Sequence, residues 1–127
     1  MRPVLALLDA GLPIRALAHL TGDGLFNLVR TVRAVGFDVE RWPEVPPIFG
    51  LVQRLGGIAD EEMYRTFNMG VGFALVVARE GVDRVLALLA DAGLRAHLLG
   101  HALEDPERTI HFRPRRLIGR GGRFTRA

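Results

Sequence analysis

A strand that runs without a linker into a glycine turn and then into a helical stripe fixes the local architecture of residues 16–25, A-L-A-H-L-T-G-D-G-L. Ala16, Ala18 and Leu20 alternate with Arg15, Leu17 and His19, the two-residue period of a strand. The strand breaks at Thr21-Gly22-Asp23-Gly24, where two glycines permit backbone angles that other residues avoid. Leu25, Leu28, Val29 and Val32 then fall on one helical stripe. Strand, glycine turn, helix is an order that sets free backbone N–H groups and the positive end of a helix dipole beside His19, a corner suited to an anion. The plain alternative is a tight turn with a buried histidine whose hydrogen bonds are satisfied.

The remaining pattern interleaves helices and strands. Pro3 to Ala10 reads as a short helix closed by Gly11, and the helix from Leu25 extends to Val35, stopping at Gly36. Phe37 to Trp42 alternates as a half-buried strand; Pro43, Pro46 and Pro47 forbid regular structure until a helix over Ile48 to Leu55. Asp60 is expected to cap a short helix that dissolves near Thr66. Phe73 to Ala78 is apolar on both faces, which predicts a central, doubly covered strand. Gly81 to Ala92 carries the clearest helical stripe, followed by strands over Arg95 to Leu103 and Arg108 to Arg113 joined as a hairpin through Glu104 to Glu107. A β-α-β unit is expected from Phe73 to Leu99, within an α+β (α/β-like) domain: a mixed sheet with helices packed mainly on one face.

A chain of 127 residues suffices for one domain with a core. The absence of cysteine excludes disulfides and a thiol nucleophile; the absence of lysine excludes a Schiff base and a phosphate-loop lysine from this chain. No apolar run approaches the roughly 20 residues of a membrane helix, so a cytoplasmic protein without membrane contact is expected. Six of the 17 arginines lie in residues 113–127, which hold no acid, whereas the preceding 112 residues carry a net charge of −3. That segregation predicts a domain over residues 1–113 and a basic, flexible tail over 114–127. The tail's few aromatics argue against nucleic-acid binding. His97, His101 and His111 show no acidic or histidine partners at ligand spacing, so no metal site is expected.

Three motifs carry a family resemblance. Ala18-His19-Leu20-Thr21-Gly22-Asp23-Gly24-Leu25 resembles the A-H-I-T-G-G-G-L motif of phosphoribosylformylglycinamidine cyclo-ligase, also called aminoimidazole ribonucleotide synthetase. Trp42-Pro43 with Val45-Pro46-Pro47-Ile48-Phe49 is similar to that family's W-x-V-P-P-I-F segment. The run from Glu61 to Gly72, E-E-M-Y-R-T-F-N-M-G-V-G, matches the family's run nearly letter for letter and points away from selenophosphate synthetase and thiamine-monophosphate kinase. The motifs keep the family's order over about residues 1–112.

The resemblance implies the C-terminal, substrate-cleft domain of an ATP- and magnesium-dependent ligase that closes the imidazole ring of formylglycinamidine ribonucleotide. It also implies an N-terminal ATP-binding domain, absent here through natural truncation or as an expression fragment, which would leave the isolated chain inactive and without ATP or magnesium of its own. A homo-oligomer and a small ribonucleotide substrate follow in the same way. His19 is the expected catalytic residue; Thr21, Gly22, Gly24, Asn68, Gly70 and Gly72 are the expected substrate- or phosphate-binding set. Met63, Tyr64 and Phe67 read as core. A non-catalytic binding or dimerisation module is the competing expectation. Asp23 stands where the family has glycine, and a carboxylate about 4 Å from a phosphate costs on the order of 4 kcal/mol at an effective dielectric near 20. Asp23 is therefore expected to cap the following helix, with weakened anion binding.

Overall fold

The computed structural model describes residues 2–127, and these fall into two compact units, one of residues up to 17 with 75–98, the other of residues 18–74 with 99–127. Helix α1 (Arg2–Asp9) and strands β1 (Ile14–His19), β2 (Val35–Val39), β3 (Phe73–Val77), β4 (Gly100–Glu104), β5 (Ile110–Phe112), β6 (Leu117–Arg120) and β7 (Arg123–Arg126) alternate with α2 (Pro47–Gly56), α3 (Asp60–Thr66) and α4 (Val82–Asp91). Strands β1 and β3 form a two-stranded sheet; the other five form a sheet of order β4-β2-β5-β6-β7. The β2–β5 pair is parallel and its neighbours antiparallel, so the sheet is mixed and the class is α+β, as the periodicities imply.

In the first unit, the apolar stripe of α4 meets α1. Leu7, Leu12, Val85 and Leu89 are buried together, with Ile14, Leu75, Val77 and Leu88 packed against them. Helix α4 ends in a left-handed Gly93, where Gly93 N–H donates to Ala90 O and Leu94 N–H to Leu89 O, satisfying carbonyls the helix would otherwise leave free.

In the second unit, the register aligns Phe37, Ile110, Gly119 and Phe124 in one cross-strand row and Val39, Phe112 and Leu117 in the next. These apolar side chains are buried on one sheet face, together with Leu25, Phe26 and Leu28 of the 3-10 helix Gly24–Val29 and Met63 and Tyr64 of α3. Ring contacts join the layers: Phe26 lies 4.7 Å from Phe124, Tyr64 4.6 Å from Phe112 and Trp42 5.4 Å from Phe112. The opposite face carries the row His101, Asp38, His111, Ile118 and Thr125.

Several expectations are corrected. The helix expected to reach Val35 is a 3-10 helix that ends at Val29, because the β-branched Thr31, Val32 and Val35 disfavour helix and Val35 opens β2 instead. Asp60 is the first helical residue of α3 rather than its cap, which is Ala59. Strand β3 has no buried residue and belongs to the two-stranded sheet, so it is not doubly covered and forms no β-α-β unit with β4. The segment before Gly100 is irregular, and β4 and β5 do not form a hairpin, because β2 lies between them. Gly100 explains the insertion: a Cβ there would sit 1.9 Å from the Asp38 carbonyl oxygen, an approach only glycine allows. The turn chemistry read at Glu104–Glu107 is nonetheless present, since Asp105 accepts the Glu107 and Thr109 N–H groups at 2.9 and 2.8 Å.

The largest correction concerns residues 114–127, expected as a flexible tail. They hold β6 and β7, and Leu117, Gly119 and Phe124 are buried in the sheet. The arginines that made this stretch look like a solvated tail are matched to the acidic body: Arg113 to Asp38, Arg120 to Glu107 and Arg126 to Glu61. Among the described residues no helix is long and apolar enough to cross a membrane.

Candidate functional site

The end of β1 and the segment before β3 meet around Leu20. Its N–H donates to Gly72 O at 3.0 Å, and its carbonyl accepts the Asn68 side-chain amide at 3.4 Å. Asn68 Oδ1 in turn accepts the Gly70 N–H at 3.0 Å, folding the 68–72 loop over the strand end. Two stretches 48 residues apart thereby touch at Leu20 and Asn68; His19, Thr21, Gly22 and Gly24 flank the contact on one, Gly70 and Gly72 on the other. His19 is exposed, its ring 6.5 Å from that of Phe73, so the alternative of a buried, satisfied histidine is overturned. Thr21, Gly22, Gly70 and Gly72 are exposed as well; Asn68 is half-buried and Gly24 buried.

The motif of Trp42 to Phe49 packs against this loop. Trp42 Nε1 donates to Met69 O at 3.2 Å, holding a residue in the left-handed region (φ 49). Pro46 packs against Gly70 (φ 94), where a Cβ would lie 2.5 Å from the proline Cδ. A Cβ on Gly24 would lie 2.3 Å from Tyr64 O and 2.8 Å from Phe67 O, so the 3-10 helix rests directly on the backbone of α3. Gly24 and Gly70 are thus demanded by packing. At Gly22 and Gly72 a Cβ would meet nothing within 4 Å, and neither has a left-handed φ. Packing does not require glycine at those two positions, and both are exposed, although the Gly22 carbonyl accepts from Asn27 and the Gly72 carbonyl from Leu20.

Two side chains that periodicity hid within the apolar stripe organise the turn. Asn27, buried, donates from Nδ2 to Gly22 O at 2.8 Å and to Gly24 O at 2.9 Å. Arg30 donates to Asn27 Oδ1 at 3.3 Å and forms an ion pair with Asp23. A polar residue in the middle of L-F-N-L was the signal that could have found Asn27. Asp23 occupies the cap position in the left-handed region (φ 71) but makes no capping hydrogen bond, so the expected cap is replaced by the pair with Arg30. On α3, Met63 and Tyr64 are buried as expected and Phe67 is half-buried. Glu62 accepts from Arg65 and Thr66, and these bonds hold its carboxyl down at about 2.

The expectation that no histidine has ligand-spaced partners fails for His101. Its Nδ1 lies 3.1 Å from Glu40 Oε1, and it sits directly opposite Asp38 across the β2–β4 ladder. The partners are on a neighbouring strand, where spacing along the chain cannot show them. Asp38 is buried and receives both prongs of the Arg113 guanidinium, whose hydrogen bonds hold its carboxyl below the ordinary carboxylate range.

The Thr21 hydroxyl and the exposed backbone at Gly22, with the exposed His19 just before the turn, are groups that suit a phosphate oxygen. A magnesium ion fits less well, because residues 21–24 carry one carboxylate, Asp23, and it is exposed.

A family model described as AIR synthase related protein, C-terminal domain, matches residues 2–113. Among curated relatives, the phosphoribosylformylglycinamidine cyclo-ligase of Methanococcus vannielii is 37% identical over 105 residues, covering 83% of this chain and 30% of the relative. The protein of the same name from Methanocaldococcus jannaschii is 36% identical over 108 residues, 84% of this chain and 31% of the relative. That from Alkaliphilus oremlandii is 32% identical over 114 residues, 87% and 33%. The chain spans about a third of the length of the curated relatives it matches.

Proposed function

The chain belongs to the AIR synthase related C-terminal domain family, and from that premise we propose that it is the substrate-cleft portion of an ATP-dependent cyclo-ligase. The proposed reaction closes the imidazole ring of formylglycinamidine ribonucleotide to give aminoimidazole ribonucleotide, in the cytoplasm. ATP, held with magnesium by the remainder of such an enzyme, supplies the phosphoryl group that turns the formyl oxygen into a leaving group. A nitrogen of the same substrate then attacks the formyl carbon and the C–O bond breaks. In this reading His19 holds or moves a proton at the reacting oxygen, and the backbone at Gly22 and Gly72, with Thr21 and Asn68, takes the phosphate. The observation that carries the reading is the joining of the two motif loops around Leu20, with His19 exposed beside two glycines that packing does not require.

A partner is part of this reading: an ATP-binding domain supplied in the same or another chain, or a second copy of this one. The exposed stripe Ile48, Leu51 and Leu55 on α2, a helix without a buried residue, supports such a contact. The presence of Asp23 in the turn favours a second reading, a non-catalytic binding or dimerisation module.

The test is an assay of the purified chain with ATP, magnesium and formylglycinamidine ribonucleotide, alone and mixed with the N-terminal two-thirds of a homologous ligase. Product is expected only in the mixture and is lost with His19→Ala. Product that persists at the wild-type rate in His19→Ala overturns the role of His19. A stable mixed complex that makes no product favours the non-catalytic reading.

A further inference from the structure

We propose that Asp38, Glu40 and His101 form a divalent-cation site on the polar face of the five-stranded sheet. One ligand atom from each of the three lies within 4.8 Å of the other two, close enough for one ion to bridge them with small side-chain adjustments. The backbone fixes this convergence. Asp38 and His101 face each other across the β2–β4 ladder, and Glu40 lies two residues beyond Asp38. The strand end is pinned there, because Glu40 and Arg41 N–H both donate to Leu99 O at 2.9 and 3.0 Å. Gly100 brings the two backbones into close approach at the same place.

The donor set is one imidazole and two carboxylates without a thiolate, which suits zinc, cobalt or manganese and not a soft monovalent ion. Arg113 engages both Asp38 oxygens, yet each keeps a second lone pair, and a carboxylate shared with a fixed partner is how outer contacts orient a ligand. His101 and Glu40 are exposed, so water completes the coordination and the ion exchanges freely. Without an ion, His101 Nδ1 and Glu40 Oε1 pair at 3.1 Å; the ion replaces that contact. This site is independent of the turn at residues 21–24 and of the reading given to it.

The experiment titrates the full chain with cobalt(II), followed by its visible absorption, and with zinc by calorimetry. Saturable binding at one equivalent is expected, weakening as pH falls because the imidazole must be neutral to ligate. His101→Ala and Glu40→Gln, both at exposed positions, should each lower affinity at least about tenfold while circular dichroism and melting stay unchanged. His97→Ala should leave binding unaltered. Manganese added to labelled protein should broaden the resonances of His101 and its β2 neighbours first. Binding that is absent, that is indifferent to both substitutions, or that broadens another region overturns the proposal.

Discussion

Arg30 closes back on the carboxylate of Asp23, seven residues earlier, and so gives the turn at residues 21–24 its own counter-charge. Both side chains are more than half exposed, so the pair adds little to stability, but it sets the charge an incoming anion meets. Asp23→Gly removes the competing carboxylate and frees Arg30. Inorganic phosphate should then bind more tightly than to the wild type, with a gain that shrinks as salt rises. Arg30→Ala should act in the opposite sense. Losing a surface pair and relieving a left-handed aspartate nearly cancel, so Asp23→Gly should change stability by less than about 1 kcal/mol. Calorimetric phosphate titrations at low and high salt check the binding, and equal affinity in all three proteins sinks the idea that this turn is an anion site.

The four site glycines should separate in a stability measurement. Gly24→Ala and Gly70→Ala force a Cβ into the Tyr64 carbonyl and the Pro46 ring, from backbone conformations with positive φ. Each should cost about 2–4 kcal/mol in urea unfolding. Gly22→Ala and Gly72→Ala meet nothing and should stay within about 0.5 kcal/mol of the wild type. A ligand that approaches the exposed backbone would still be blocked by those two methyl groups. Phosphate binding that survives both of them unchanged would remove Gly22 and Gly72 from the site.

What the sequence disclosed follows from which forces act locally. Proline at the start of α1 and α2, Gly93 after α4 and the alternation in β1 are short-range signals, and each element stands where its pattern indicated. The meeting of the segments around His19 and Asn68 follows a motif match, which carries spatial information that periodicity lacks. Long-range pairing was not legible. The insertion of β2 between β4 and β5 depends on a backbone approach at Gly100, and the partners of His101 lie across a ladder. The β6–β7 hairpin was hidden by composition. Its arginines resemble a solvated tail until the acidic residues they face are known, and the buried side chains beneath them, Leu117 and Phe124, are too few to announce a strand pair.

That hairpin gives a sharp prediction, because it lies beyond the region matched to the family and still completes the sheet. Phe124 is 7% exposed and stacks at 4.7 Å on Phe26, so Phe124→Ala should destabilise by about 3–5 kcal/mol. Truncation after Arg113 uncovers the β5 edge and removes Leu117 as well. The second unit should then lose cooperative unfolding, read by thermal and urea melts. A truncated chain that melts like the wild type would show that residues 114–127 are dispensable.

Asp105 should make stability depend on acid. Its carboxylate accepts the Thr109 and Glu107 N–H groups, and the Thr109 bonds are the largest cause holding its carboxyl below the unfolded value of 3.8. A group whose folded value is depressed contributes stability that is fully present above the unfolded value and is lost as pH falls through the folded one. The contribution of Asp105 is therefore intact at neutral pH and disappears progressively below about pH 4. Glu62, held at about 2 by Arg65 and Thr66, acts with the same sign, but its partners are exposed and salt should screen much of its effect. Asp105→Asn cannot ionise, so the variant should be less stable at pH 7, and the difference from the wild type should narrow as pH falls below about 4. Urea unfolding at a series of pH values tests this. Parallel curves for the two proteins from pH 7 to pH 3 would show that the turn between β4 and β5 does not depend on the Asp105 charge.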